Sequence, residues 1–249
     1  MSDSRIRLVF MGVKHDILSI MRQWAPEDTA EAWDNVGLQL DTRRDIDRLA
    51  IILELNLDTL AIFLEYDYDF LISHHPLIFK PIHSIGYDDW SHGVLRQLIQ
   101  KDVGFYVSHT NLDRAFDGVT DVLLRQYEFD VQNEADLSNG YGKLIVLNQP
   151  AHLHDIEDKV SVVAKIIPDD LEINTVALCG GSGKGFIEDV VRQKVDLYIT
   201  GELGYHDMQY LRQQGVGVLL LGHYQSESFI LDVIKQRLEH LDIEIDIIK

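Results

Sequence analysis

Two hydrophobic periods alternate along the chain. Leu49, Ala50, Ile51, Ile52 and Leu53 form an unbroken apolar run, so 48–55 reads as a buried strand, and Asp58 reads as the N-cap of a helix reaching Tyr66. The same unit recurs: a short β-rich run, a polar or glycine turn, then residues at helical spacing. It places further strands at 70–73, 104–108, 143–147, 175–178, 197–200 and 216–221. Helices are expected at 91–101, 155–164, 186–194, 205–214 and 225–238. Residues 243–248 alternate apolar and acidic positions, as an edge strand does. Strands alternating with helices predict an α/β fold with mainly parallel sheets flanked by helices. The most polar stretch, 130–141, suggests two α/β halves, 1–130 and 141–249, with a single continuous sheet as the alternative.

The chain's 249 residues suffice for either arrangement. With 41 acidic against 22 basic side chains the net charge is −19, which speaks against nucleic-acid binding through a general basic field. Apolar runs such as Val218 to Leu221 fall far short of the ~20 residues a membrane span needs. Leu8 to Val13 is too short for the core of a secretory signal. A single cysteine, Cys179, permits no intrachain disulfide and reads as a buried apolar residue. Together these features predict a compact acidic protein of the cytoplasm.

Position is the informative property of the polar residues, which gather where expected strands end. Phe70-Leu-Ile-Ser73 runs into His74 and His75, and Gly104-Phe-Tyr-Val-Ser108 runs into His109 and Asp113. Val176-Ala-Leu-Cys179 leads into Gly180-Gly-Ser-Gly183, Leu197-Tyr-Ile-Thr200 into Glu202, and Val218-Leu-Leu-Leu-Gly222 into His223 and Glu227. In open α/β sheets ligands bind beyond the carboxyl ends of the strands, so these groups can share one crevice. His109 and Asp113 are four apart, as are His223 and Glu227, which puts imidazole and carboxylate on one side of a helical turn. Imidazole with carboxylate and no thiolate suits zinc, manganese or iron in a reactive site rather than a zinc finger. Carboxylates can also bridge two cations.

Three further features admit two readings each. Gly180, Gly181, Ser182 and Gly183 fail the phosphate-loop and dinucleotide patterns; they form either an anion-holding turn before a helix or a tight turn with no ligand. Glu202 is a general base, a support for a ligand, or a carboxylate favoured at a helix start. Asp34 and Asn35 read locally as a turn, with Trp33 packing beside it.

Taken together, Trp33-Asp-Asn-Val-Gly-Leu-Gln39, Ser73-His-His-Pro76, Ser108-His-Thr-Asn-Leu-Asp113, Ile199-Thr-Gly-Glu202 and Gly222-His-Tyr-Gln-Ser-Glu227 resemble the Nif-three-like (NGG-interacting factor three) family. Bacterial members of that family are often labelled GTP cyclohydrolase 1 type 2 homologues. The resemblance spans nearly the whole chain and matches the short form, since 130–141 leaves no room for the domain that other members insert there. It implies two α/β halves with a dinuclear metal centre in the cleft between them. Carried over by position, the ligands are His74, His75, Asp113, His223 and Glu227, with His109 close by. The resemblance also implies two divalent ions per chain and a ring-shaped homohexamer.

The leading functional expectation is metal-dependent hydrolysis of a nucleotide or related small phosphorylated substrate, with Glu202 or His109 moving protons. Its rival is a non-catalytic assembly or regulatory interaction protein in which the ions hold the halves together. Nucleic-acid processing in a ring is a third reading, which the acidic composition disfavours.

Overall fold

The computed structural model of the chain describes residues 12–137, 140–159, 161–168 and 171–249. Most of the 8–13 run, Ser138 and Asn139 of the polar segment, and Val160 of the expected 155–164 helix lie outside these residues. The strands are β1 (Gly37–Leu40), β2 (Arg48–Ile52), β3 (Phe70–Ser73), β4 (Gly104–Val107), β5 (Val131–Leu137), β6 (Gly142–Ala151), β7 (Ala164–Ile166), β8 (Ile173–Ser182), β9 (Leu197–Glu202), β10 (Gly217–Leu220) and β11 (Glu244–Ile248). The helices are α1 (Val13–Trp24), α2 (Leu57–Glu65), α3 (Trp90–Gln100), α4 (Thr110–Arg114), α5 (Val119–Arg125), α6 (Leu153–Glu157), α7 (Ile187–Arg192), α8 (Tyr205–Gln213), α9 (His223–Glu227) and α10 (Ile230–Leu238).

Two sheets result. The first has the order β1-β4-β3-β2-β11, parallel throughout except for β1. The second has the order β5-β6-β8-β9-β10-β7; β8, β9 and β10 are parallel, and the outer strands run antiparallel. The α/β architecture with helices on the sheets is as expected, but the second sheet is mixed rather than mainly parallel. Sheet membership also cuts across the expected halves, because β11 returns to pair with β2 at the edge of the first sheet.

Alternation along each strand feeds two cores per sheet. Leu49 and Ile51 of β2 face α1 and α10, while Ala50 and Ile52 face α2 and α3. In the second sheet Val176, Leu178 and Ile199 pack on one side, and Ala177, Tyr198 and Val218 on the other against α7 and α8. α5 joins the sheets, with Val119 and Val122 in the first core and Leu123 in the second.

Three local expectations are corrected. The helix at 57–65 is capped by Asn56, not Asp58: Asn56 Oδ1 accepts from Asp58 N and Thr59 N at 3.0 Å, and Thr59 Oγ1 in turn accepts from Asn56 N at 2.9 Å. The helix expected over 155–164 ends at Glu157, and Ala164–Ile166 instead pairs antiparallel with β10. An open edge of β10 offers hydrogen bonds that outweigh a weak local helix preference. The helix expected over 225–238 is two helices, α9 and α10, separated at Ser228 and Phe229.

Candidate metal centre

The carboxyl ends of β3, β4, β8, β9 and β10 converge. His74 and His75 follow β3, His109 precedes α4, which carries Asp113, and Glu202 ends β9. The five-residue α9 carries both His223 and Glu227, and its single turn puts His223 Nε2 3.2 Å from Glu227 Oε2. His75 Nε2 lies 3.1 Å from the same oxygen. The His75 ring centroid lies within 5.0 to 5.4 Å of those of His74, His109 and His223. The residues expected at the site thus meet, from both sheets.

Hydrogen bonding fixes which ring nitrogen faces inward. His74 Nδ1 is 2.8 Å from the Ser108 carbonyl oxygen, which can only accept, so Nδ1 carries the proton and Nε2 presents a lone pair. That lone pair is 3.6 Å from Asp113 Oδ1 and 4.0 Å from Glu227 Oε1. His109 and His223 repeat the pattern, with Nδ1 3.0 Å from Asp34 and 3.3 Å from Glu202, whereas Glu54 stands 3.6 Å from His75 Nδ1, a charged neighbour beyond hydrogen-bond reach. Carboxylates or a carbonyl behind each ring leave four Nε2 atoms pointing at one place, as in ligating histidines.

Among the described residues, His74 Nε2 and Glu227 Oε2 are buried without a hydrogen-bond partner. Glu227 Oε2 is near two imidazole nitrogens but aligned with neither. Buried acceptors facing one another are costly unless a cation lies among them. Two sets could hold one: His74, His75 and His109, and His75, His223 and Glu227, each with ligand atoms within 4.8 Å of one another. Asp113 joins the first set through its approach to His74.

Charge and burial shift these groups apart. Burial drives His74 down to about 3. Asp113 rises to about 7 through burial and the facing Glu227 carboxylate. His223 rises to about 9 chiefly because the Glu227 carboxylate stands 3.2 Å from its Nε2, with Glu202 adding to the effect. Glu227 is held well below the usual carboxylate range: its burial is outweighed by His223 and His75. Cys179, at the rim of the cleft, has its thiol pushed up by burial and by Asp113 and Glu227, so it stays protonated.

Asp34 is more than a turn residue. Its side chain is fully buried; Oδ1 accepts from His109 Nδ1 at 3.0 Å and Asn35 N at 2.9 Å, and Oδ2 accepts from Thr110 N at 3.0 Å and Thr110 Oγ1 at 2.6 Å. Burial alone would raise its pKa, but the bonds from His109 and Thr110 bring it down to about 2. Gln39 brackets the backbone of Ile78, accepting from its N at 3.0 Å and donating to its O at 3.1 Å, which anchors the segment after His75. Asp34→Asn should weaken cation binding about 10- to 100-fold by freeing the His109 ring. Chelator competition measures this, and unchanged affinity would remove the role.

The glycine run serves packing around Glu227. Gly181 has φ +60°, and a Cβ there would lie 2.1 Å from Glu227 Oε1. Its N–H donates to Ser226 Oγ at 2.9 Å, and that of Gly180 to Thr120 Oγ1 at 3.3 Å, so neither points at an anion. A Cβ on Gly183 would meet Tyr198 Oη at 2.2 Å, while Ser182 lines the cleft. Gly181→Ala should displace Glu227 and cost about 1–2 kcal/mol of left-handed backbone strain. The expected readout is lost metal with a lowered melting temperature; a variant with full metal content would contradict it.

A cleft of about 480 Å³ opens beside the cluster, lined by His109, Asp113, His223 and Glu227 on one side and by Trp33 and Phe186 among others. The family model Duf34/NIF3 (NGG1p interacting factor 3) matches residues 13–249. A Clostridium acetobutylicum protein named GTP cyclohydrolase 1 type 2 homolog is 29% identical over 237 residues, covering 90% of this chain and 88% of that protein. The Saccharomyces cerevisiae NGG1-interacting factor 3 is 26% identical over 257 residues, covering 90% of this chain and 89% of its own. Among solved structures, reduced HcgD from Methanocaldococcus jannaschii superposes with a TM-score of 0.82 at 29% identity, over 95% of this chain and 97% of that one.

Proposed function

The chain belongs to the Duf34/NIF3 family, and from that premise we propose that it is a dinuclear metal-dependent hydrolase of a nucleotide or related small phosphorylated substrate. The observation that carries this reading is the set of inward Nε2 atoms, each backed at Nδ1 and facing two carboxylates, with His74 Nε2 and Glu227 Oε2 buried and unpaired. His74, His109 and Asp113 would hold one cation and His223 the other, with His75 and Glu227 between them. Divalent cations supply Lewis acidity, lowering the pKa of water toward neutrality and polarising the bond under attack. The protein's own groups do the rest. Asp34 holds the His109 ring so that its Nε2 faces the cluster as a ligand. Glu202 steadies His223 from the open side. Ser182 stands where the substrate would enter, while Gly180, Gly181 and Gly183 keep the backbone close to the cluster.

The names of the Clostridium acetobutylicum relative and its kind support cyclohydrolase-type chemistry on this reading. A homohexameric ring and a cytoplasmic setting complete it. The second reading is a metal-stabilised interaction protein, favoured by the origin of the ligands: His74, His75 and Asp113 flank the first sheet, whereas His223 and Glu227 flank the second. Ions there would tie the sheets together whatever else they do. Metal analysis of freshly purified protein, followed by a hydrolysis screen of nucleoside phosphates with the matching ion, decides between them. Turnover that a chelator abolishes supports the hydrolase; chelation that lowers melting without any turnover supports the assembly role. Protein purified gently and free of metal would end both.

A further inference from the structure

The cleft beside the metal cluster has an unusual wall. Trp33 and Phe79, 5.8 Å apart between ring centroids, come from segments around the first sheet. Tyr141 and Phe186, 6.1 Å apart, come from segments around the second. Trp33 is 57% exposed and Phe79 45% exposed, although both are large apolar side chains next to a packed core. The Arg114 guanidinium lies over the Tyr141 ring, 5.3 Å from its centroid, so the aromatic surface left open in the cleft is that of Trp33, Phe79 and Phe186, which suits a flat partner that can cover it.

Charge narrows the class. Among the described residues no lysine or arginine lines this cleft, so apart from the imidazoles and cations of the cluster its walls offer a phosphate no positive charge. They do offer an acceptor. Glu31 lines the same cleft, and its Oε1 takes the Tyr141 hydroxyl at 2.8 Å, which orients the carboxylate and leaves it further acceptor capacity. The amides of Gly180 and Gly181 are already committed to Thr120 and Ser226, so the glycine run does not supply a competing anion cradle.

We propose that Trp33, Phe79 and Phe186 form a stacking subsite for a planar nitrogen-heteroaromatic ring of the nucleobase class, whose N–H edge is read by Glu31 as Tyr141 holds it. The proposal deepens the hydrolase reading, since a ring seated there directs the remainder of the ligand toward the cluster. It needs no bound ion for the ring itself to bind.

The test uses guanosine, which carries the ring and its N–H donors without phosphate, and ribose 5-phosphate, which carries phosphate without a ring. Binding to the chelator-treated full chain is followed by calorimetry and by the Trp33 indole N–H resonance, assigned through its loss in Trp33→Phe. Guanosine should bind and shift that resonance. Trp33→Leu and Phe186→Leu should each weaken it about tenfold, the scale of one stacked base. Glu31→Gln should weaken it by about the same factor by losing a charged acceptor. Ribose 5-phosphate should bind more tightly once cations are restored and should leave the indole resonance unshifted. Guanosine affinity unchanged in all three variants, or no indole shift up to the solubility limit of guanosine, overturns the subsite. Should a variant fail to fold, the indole shift in the unaltered protein still decides. Because this readout is taken without metal and without turnover, its failure leaves the hydrolase reading standing, and a failed hydrolysis screen leaves the subsite standing.

Discussion

Glu227→Ala should strip the cluster of all its cations, whereas His223→Ala should cost a single ion. The difference follows from reach. Glu227 approaches His75 and His223 through Oε2, at 3.1 and 3.2 Å, and His74 through Oε1, at 4.0 Å, so it faces both sets of candidate ligands. His223 belongs to only one of those sets. Removing the shared carboxylate also leaves four imidazoles with no negative partner among them except Asp113, which burial already biases toward its neutral form. Each site should lose more than about a hundredfold in affinity, beyond the loss seen when only a supporting group is changed. His74→Ala or Asp113→Ala should lose at least one ion. Elemental analysis after gel filtration counts the ions directly, and full occupancy in Glu227→Ala would dismantle the bridging assignment.

Cation binding at pH 7 should expel at least about one proton per chain. His223 sits at about 9 against an ordinary 6.5, so in the metal-free protein it is protonated at neutral pH. A raised imidazole stabilises the fold fully below 6.5 and loses that contribution as pH climbs through about 9. Asp113, raised from 3.8 to about 7, behaves likewise: its neutral acid favours the folded state below 3.8, and the benefit is gone above about 7. A cation needs both groups deprotonated. His74, at about 3, is already neutral and releases nothing. Affinity should therefore climb about tenfold per pH unit from 7 to 9, driven by His223. Titration calorimetry in buffers of differing ionisation enthalpy reports the proton count; heats that do not depend on buffer would refute it.

The site was legible wherever its residues sit at the ends of apolar runs. His74, His75, His109, Asp113, His223 and Glu227 each follow a strand or sit on the short helix that comes after one, and strand ends converge in this class of fold. Asp34 was not legible from its surroundings, because its partner His109 is 75 positions away and its own neighbours form an ordinary turn. Glu54 behind His75 was hidden for the same reason. In the fold, β5 escaped because five of its seven residues are exposed, so it lacks the apolar alternation that marks a half-buried strand. β7 has three residues and owes its conformation to the open edge of β10. Residues 243–248 announced an edge strand by their alternation, but nothing local says which sheet such a strand will join.

That choice of sheet has a consequence for biogenesis. β11 lies parallel to β2, and Arg48 grips Asp246 across 198 positions of chain. A ribosome makes β2 early and β11 only after everything between them, so one border of the first layer waits, bare, throughout translation. Closing so wide a loop is slow, and an uncovered β2 border in the nascent chain is a place where other chains can pair.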